Sequence, residues 1–283
     1  STFQMGAFLI NGCPGDEFIV PSYTFSSTAN AFVSRGMTPI FCDIREDTLN
    51  IDDSQIEELI NEKTKAIVPI HYAGIPAEMD RINLLASNYD IPVIEDAAQA
   101  VNSKYNGNYA GSLSEIGTFS FHTTKSYSAG EGGALTLNNT KYFERAEYLW
   151  EKGTDRCLVT QGLQNKYSWV DYGSSFLPSD ILAALLFGQF ENLDLMQDKR
   201  EKVHLAYLET FKEFCEDGLK MISVPDHVDT NFHAFWILFE KPQQRELFLK
   251  LSNSKSLSPY IGYVPLHSSP MGKRLGGDNF DLP

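Results

Sequence analysis

The chain has 283 residues, 42% of them hydrophobic, a net charge of −14 and a pI of about 4.8. That length allows a substantial core in one large domain with a smaller appendage, and the acidity argues against general binding to nucleic acid or other polyanions. No basic-then-apolar leader and no apolar run of bilayer length is present, so a cytoplasmic protein without membrane contact is the expectation.

In chain order, apolar β-rich runs recur at 18–20, 39–42, 66–70 and 92–94. Between the second and third runs, residues 52–61 place apolar side chains at helical spacing behind acidic capping residues. Strand–helix alternation of this kind predicts an α/β fold with a mainly parallel sheet covered on both faces. Residues 142–150 carry a second helical pattern. Another begins at Ser179 and runs to Phe187, dense enough in apolar residues for a buried or interface helix. A long charged segment, 191–216, reads as a helix bridging two domains, and 232–239 as a strand of a small C-terminal α/β domain. The expected division is 1–195 and 196–283, and the chain is expected to be most of a longer protein. Trp150 and Trp169 are expected to pack. Cys13, Cys42, Cys157 and Cys215 are too widely spaced for a zinc site and suggest no disulfide framework.

The chemistry points to Gly117-Thr-Phe-Ser-Phe-His-Thr-Thr-Lys125-Ser-Tyr-Ser-Ala-Gly-Glu-Gly-Gly133, where one lysine sits in a polar, glycine-rich turn after a short β-type run. An amine that forms a Schiff base must be partly desolvated and lie beside groups that hold a carbonyl cofactor. Pyridoxal phosphate also wants a carboxylate at its ring nitrogen, an apolar face for the ring, and hydroxyl or backbone N–H donors for its phosphate. Asp96 follows the buried run 91–94 and would emerge at the carboxyl edge of the sheet, where open α/β sheets bind ligands. There an ionised carboxylate keeps a pyridine nitrogen protonated; a helix-capping or loop aspartate is the alternative.

Asp96, Gln99, Ser120, His122 and Lys125 together resemble the sugar aminotransferases of fold type I, the DegT/DnrJ/StrS group, which depend on pyridoxal phosphate. Further segments carry the resemblance in order: Pro14-Gly-Asp-Glu17, Val20-Pro-Ser-Tyr-Thr-Phe25, Val68-Pro-Ile-His-Tyr-Ala-Gly74, Glu95-Asp-Ala-Ala-Gln99, Gly130-Glu-Gly-Gly133 and Tyr263-Val-Pro-Leu-His267. The resemblance implies that Lys125 is the lysine bonded to the cofactor and the base that moves a proton. It makes Asp96 the partner of the ring nitrogen, Gln99 a polar neighbour of the phenolic oxygen, Phe25 the stacked ring and Ser120 a phosphate ligand. His122 would position the lysine loop, and Tyr263 and His267 would face the sugar, although simple packing of His267 is equally open. Arg156 could meet a substrate pyrophosphate or be an exposed loop arginine.

Amino-acid and nucleotide-sugar substrates and a homodimer with shared active sites are also implied. The runs 21–32 and 166–175 are most similar to members that aminate C4 of a dTDP-linked 4-keto-6-deoxy sugar. Two departures stand out. The turn that opens the first helix and binds phosphate in the family is missing before Ser1, and Gly173-Ser-Ser-Phe176 stands where many members carry a phosphate-reaching Asn, leaving Ser175 as the donor. A sugar dehydratase of the same fold is disfavoured by Lys125, since such enzymes carry histidine there. A non-catalytic regulator of this fold is the other alternative. His71, His122 and His267 match no metal-ligand spacing, so no metal is expected.

Overall fold

A computed structural model describes residues 2–282, so Ser1 and Pro283 lie outside the described residues. The first half alternates as expected: α1 (Thr2–Leu9), β1 (Glu17–Pro21), α2 (Ser26–Val33), β2 (Thr38–Cys42), α3 (Ile56–Leu59), β3 (Thr64–Ile67), α4 (Met79–Asn88) and β4 (Ile94–Asp96). A hairpin of β5 (Lys104–Tyr105) and β6 (Asn108–Tyr109) precedes β7 (Ile116–Ser120) and β8 (Gly133–Leu137).

Strands β2, β1 and β3 pair in parallel, as do β4 and β7, while β8 closes the edge antiparallel to β7. Pro69 and Pro92 lack the N–H groups that a continuous β3–β4 ladder would use. The two halves are instead joined by Ile67 N–H to Pro92 O (3.1 Å), Asp96 N–H to Pro69 O (2.9 Å) and His71 N–H to Asp96 O (3.0 Å). The result is an order β2-β1-β3-β4-β7-β8.

Period-two alternation divides the core. Phe18 and Val20 face a cluster with Met5, Leu9, Phe32 and Leu149 beneath α1, α2 and α5 (Phe143–Trp150). Ile19 faces the opposite cluster with Ile56, Met79, Ile82 and Ala86 from α3 and α4. Helices therefore cover both faces, as parallel sheets require.

Two expected elements are shorter than their patterns. Within 52–61 only Ile56–Leu59 is helical, because Asp52 Oδ1 accepts from Ser54 N (3.1 Å) and Ser54 Oγ (2.6 Å) in a local turn, and the chain is extended again at Ile60 (ψ 132°). The strand expected over 232–239 reduces to Ile237–Leu238, since the polar residues before it hydrogen-bond elsewhere, as described below.

The second half holds α6 (Arg156–Thr160), α7 (Asp180–Phe190), α8 (Leu193–Phe211), β9 (Lys220–Met221), β10 (Val228–Asp229), β11 (Ile237–Leu238), α9 (Pro242–Ser254) and α10 (Pro270–Arg274). The boundary expected at 195/196 falls in the first turn of α8. Strand β10 pairs with β5 and β9 with β11, and the run ending at His267 returns to the end of β1 through Leu266 N–H to Ser22 O (2.8 Å). Helix α7 has no buried residue: Ile181 is 80% exposed and Phe187 66%. Trp169, expected to pack, is also largely exposed. Among the described residues, no helix is long and apolar enough to cross a membrane.

Candidate active site

The segments that follow β1, β3, β4 and β7 converge at one edge of the sheet, the carboxyl edge where the sequence places a site. Asp96 ends β4 and is buried. Its Oδ2 accepts from Thr28 Oγ1 of α2 (2.7 Å) and its Oδ1 from Ala98 N (3.1 Å). Burial outweighs these donors and holds the carboxyl above the usual carboxylate range; the bonds from Thr28 and Ala98 and the charge of Lys125 pull the other way. Lys125 sits in the turn after β7, and burial lowers the proton affinity of its amine, opposed by the charge of Asp96. A buried carboxylate in want of a positive partner beside a half-desolvated amine is the pair that a protonated pyridine and a Schiff-base lysine require.

The rest of the lining suits the same group. Phe25, just before α2, leaves its ring 55% exposed, 6.1 Å from the ring of Tyr263. Gln99 Nε2 donates to Tyr263 Oη (3.1 Å), while Gln99 Oε1 accepts from Ala73 N (2.7 Å). Tyr263 packs edge-on against Tyr23 and Tyr72 (5.7 and 6.2 Å), and burial pushes its phenol up to about 12, so it stays a neutral hydrogen-bonding group. Ser120 ends β7 opposite Gly133, and a Cβ on Gly133 would lie 3.1 Å from Thr2 Cγ2. The first turn of α1 thus lies near Gly133, the strand partner of Ser120. These residues suit pyridoxal phosphate: Asp96 would meet the ring nitrogen, Phe25 the ring face, Gln99 and Tyr263 would give polar contacts, the Ser120 hydroxyl would serve the phosphate, and Lys125 would supply the covalent bond.

His122 makes its hydrogen bonds within the lysine turn. Its Nδ1 lies 3.0 Å from Thr124 Oγ1 and accepts from Thr124 N (3.3 Å), its carbonyl accepts from Lys125 N (2.9 Å), and Nε2 lies 3.5 Å from Glu131. The far side of the turn is clamped by Gln189 of α7, whose Oε1 accepts from Ser128 N (2.9 Å), and by buried Tyr127 against Phe190.

Three expected residues lie elsewhere. Ser175 is exposed and bridges to Glu151. Arg156 opens α6, pairs with Glu151 Oε1 at 3.4 Å and is largely exposed. His267 is buried, with Nδ1 2.6 Å from Ser22 Oγ and its ring edge-on to Phe41, so it ties the C-terminal run to β1.

Three further residues support the site: Thr28 without any signal in the sequence, and His71 and Glu95 from segments that carry the resemblance. Thr28 lies in the first turn of α2, and nothing local marks it as a donor to Asp96. His71 and Glu95 form a buried pair (2.9 Å) directly behind the site. Glu95 also accepts from Gly111 N (2.6 Å), Leu113 N (2.8 Å), Ser114 N (2.6 Å) and Ser114 Oγ (2.9 Å), which fixes the strand end that carries Asp96. Beyond that resemblance, the hint at Glu95 was an acidic residue inside an otherwise apolar strand.

Comparisons with known proteins agree with this geometry. The spore coat polysaccharide biosynthesis protein SpsC of Bacillus subtilis is 32% identical over 278 residues, covering 95% of this chain and 71% of that protein. The GDP-perosamine synthase of Escherichia coli O157:H7 is 32% identical over 262 residues, covering 91% and 68%. The solved structure of DesV from S. venezuelae superposes with a TM-score of 0.86 at 27% identity, covering 100% of this chain and 71% of that one. Residues 2–282 match the DegT/DnrJ/EryC1/StrS aminotransferase family, and the chain belongs to that family of sugar aminotransferases, whose cofactor is pyridoxal phosphate.

Proposed function

We propose that the protein transfers an amino group from an amino acid, glutamate being the favoured donor, to C4 of a keto sugar nucleotide. The favoured acceptor is dTDP-4-keto-6-deoxyglucose, giving the 4-amino-4,6-dideoxy sugar of a dTDP-4-amino-4,6-dideoxygalactose transaminase. The observation that carries the reading is the Lys125 amine, desolvated beside the buried carboxylate of Asp96 at the carboxyl edge of the sheet. The choice of a C4 acceptor is supported by the residue runs 21–32 and 166–175.

When bound, pyridoxal phosphate supplies an electron-poor ring that takes up the electron pair left on the carbon beside the transferred nitrogen. Asp96, buried and oriented by Thr28 and Ala98 N–H, favours positive charge at the group it faces. Lys125 Nζ holds and moves the proton: burial lowers its proton affinity below that of an exposed lysine, which favours the neutral amine that can take a proton from a substrate carbon and return it. Gln99 and Tyr263 orient through neutral hydrogen bonds and add no charge to the site.

The exposed apolar face of α7 is, in this reading, the contact with a second copy of the chain, which would bring the partner close to the lysine turn that Gln189 clamps. Ser175 is proposed to act across that contact.

The test is amine transfer from glutamate to 4-keto-6-deoxy sugars carried on dTDP and on GDP, followed by mass spectrometry. Conversion of the dTDP sugar, lost in Lys125→Ala, is the expected result. Conversion of the GDP sugar alone would overturn the acceptor, and conversion of neither would overturn the activity.

A further inference from the structure

Residues 230–233 run between β10 and β11 without regular structure, yet their polar groups are tightly engaged. Thr230 Oγ1 donates to Gly74 O (3.2 Å), and Asn231 Nδ2 donates to Gln99 O (2.9 Å) and Val101 O (2.8 Å). Asn231 Oδ1 accepts from His233 N (3.0 Å), and Arg200 of α8 donates to His233 O (3.3 Å). Between them Phe232 takes φ 55°, a left-handed conformation that a non-glycine residue adopts only where its surroundings over-determine it. The outcome is a fixed imidazole: His233 Nδ1 lies 2.7 Å from the hydroxyl of Ser126, the buried residue immediately after Lys125.

We propose that His233 is a positioning residue for the amine, acting through Ser126 to fix the turn that presents Lys125 beside Asp96. The role rests on the reading of Lys125 as the cofactor lysine. It links 230–233, already bonded to the Gln99 and Gly74 segments, to the segment that carries Lys125. Burial pushes the imidazole down to about 3, with Lys125 and Arg200 pushing the same way, so the ring is neutral and adds no positive charge near the amine. The charged groups around the turn are then Lys125 and Asp96 on the inside, Arg200 from α8, and Glu131 beside His122 on the outside.

The experiment follows the full chain, stripped of cofactor, as it captures pyridoxal phosphate, with the growth of absorbance near about 410–430 nm giving the rate. Ser126→Ala and His233→Phe should each slow capture about tenfold, the loss expected when one buried hydrogen bond is removed. His233→Asn, whose amide places a polar atom near the position of Nδ1, should stay within about threefold of wild type. The double variant Ser126→Ala/His233→Phe should be no slower than the slower single one, because both changes break the same link. Melting temperatures should stay within about 3 °C of wild type for Ser126→Ala and His233→Asn. Wild-type capture by Ser126→Ala, or a double variant showing the product of the two single losses, would overturn the role. A wild-type chain that captures no pyridoxal phosphate would remove the reading of Lys125, and this role with it.

Discussion

Burial drives Asp96 and Lys125 toward neutrality, one by raising a carboxyl and the other by lowering an amine. The sign of each effect on stability follows from linkage. A carboxyl raised in the folded state contributes stability at low pH that is lost as pH rises past the unfolded value, near 3.8, and through the folded one. An amine lowered in the folded state costs stability as pH falls below its unfolded value, near 10.5. Above the unfolded value of the carboxyl the cofactor-free protein therefore bears the cost of burying the Asp96 carboxyl and its charge. Asp96→Asn removes that charge and still bonds Thr28 and Ala98 N–H, through its amide nitrogen and oxygen respectively. In thermal melts of the cofactor-free protein it should raise Tm at pH 8 by about 2–4 °C, as about 1 kcal/mol does in a chain of this size, with the gain vanishing toward pH 4. The same variant should lower transamination about a hundredfold or more. An unchanged Tm at pH 8 would mean that Asp96 carries no desolvation cost. At this scale the sequence marked Asp96 and Lys125 by residue type and neighbours, but it could not show Thr28, whose role depends on a contact across 68 positions.

Elements were legible where one local pattern decides them. The runs that became β1 and β2 alternate between two buried clusters, and the pattern ending at Trp150 became α5. The failures share a cause: polar side chains that take backbone partners and end the periodic element, as Asp52 does before α3 and Asn231 before β11. Helix α7 is the reverse case. Its apolar density was legible, but whether it is buried by its own chain or by another was not, and the structure leaves Ile181, Leu185 and Phe187 exposed. Large exposed apolar patches of this kind mark association surfaces. Phe187→Asp should convert the proposed dimer to monomer in sedimentation analysis, with far-ultraviolet circular dichroism unchanged because no residue of α7 is buried in its own chain. A wild-type protein that sediments as a monomer would contradict the proposed contact.

Across the whole molecule, the parallel sheet covered on both faces places Phe25, His71, Asp96, Gln99 and Lys125 at one edge, although they are spread over 100 positions of sequence. The α/β class and this edge were legible because strand–helix alternation dictates them. The returns from the C-terminal residues were not: Ser22 meets His267 across 245 positions and Ser126 meets His233 across 107, and only the folded chain brings them together. The most direct measurement is the absorbance spectrum of the purified protein with pyridoxal phosphate, before and after glutamate, alongside Lys125→Ala. A band near about 410–430 nm that moves to shorter wavelength with glutamate and is altered in the variant is the predicted result. No band in the wild-type protein even with added cofactor, or an identical band in Lys125→Ala, would contradict the assignment of Lys125 and the aminotransferase mechanism built on it.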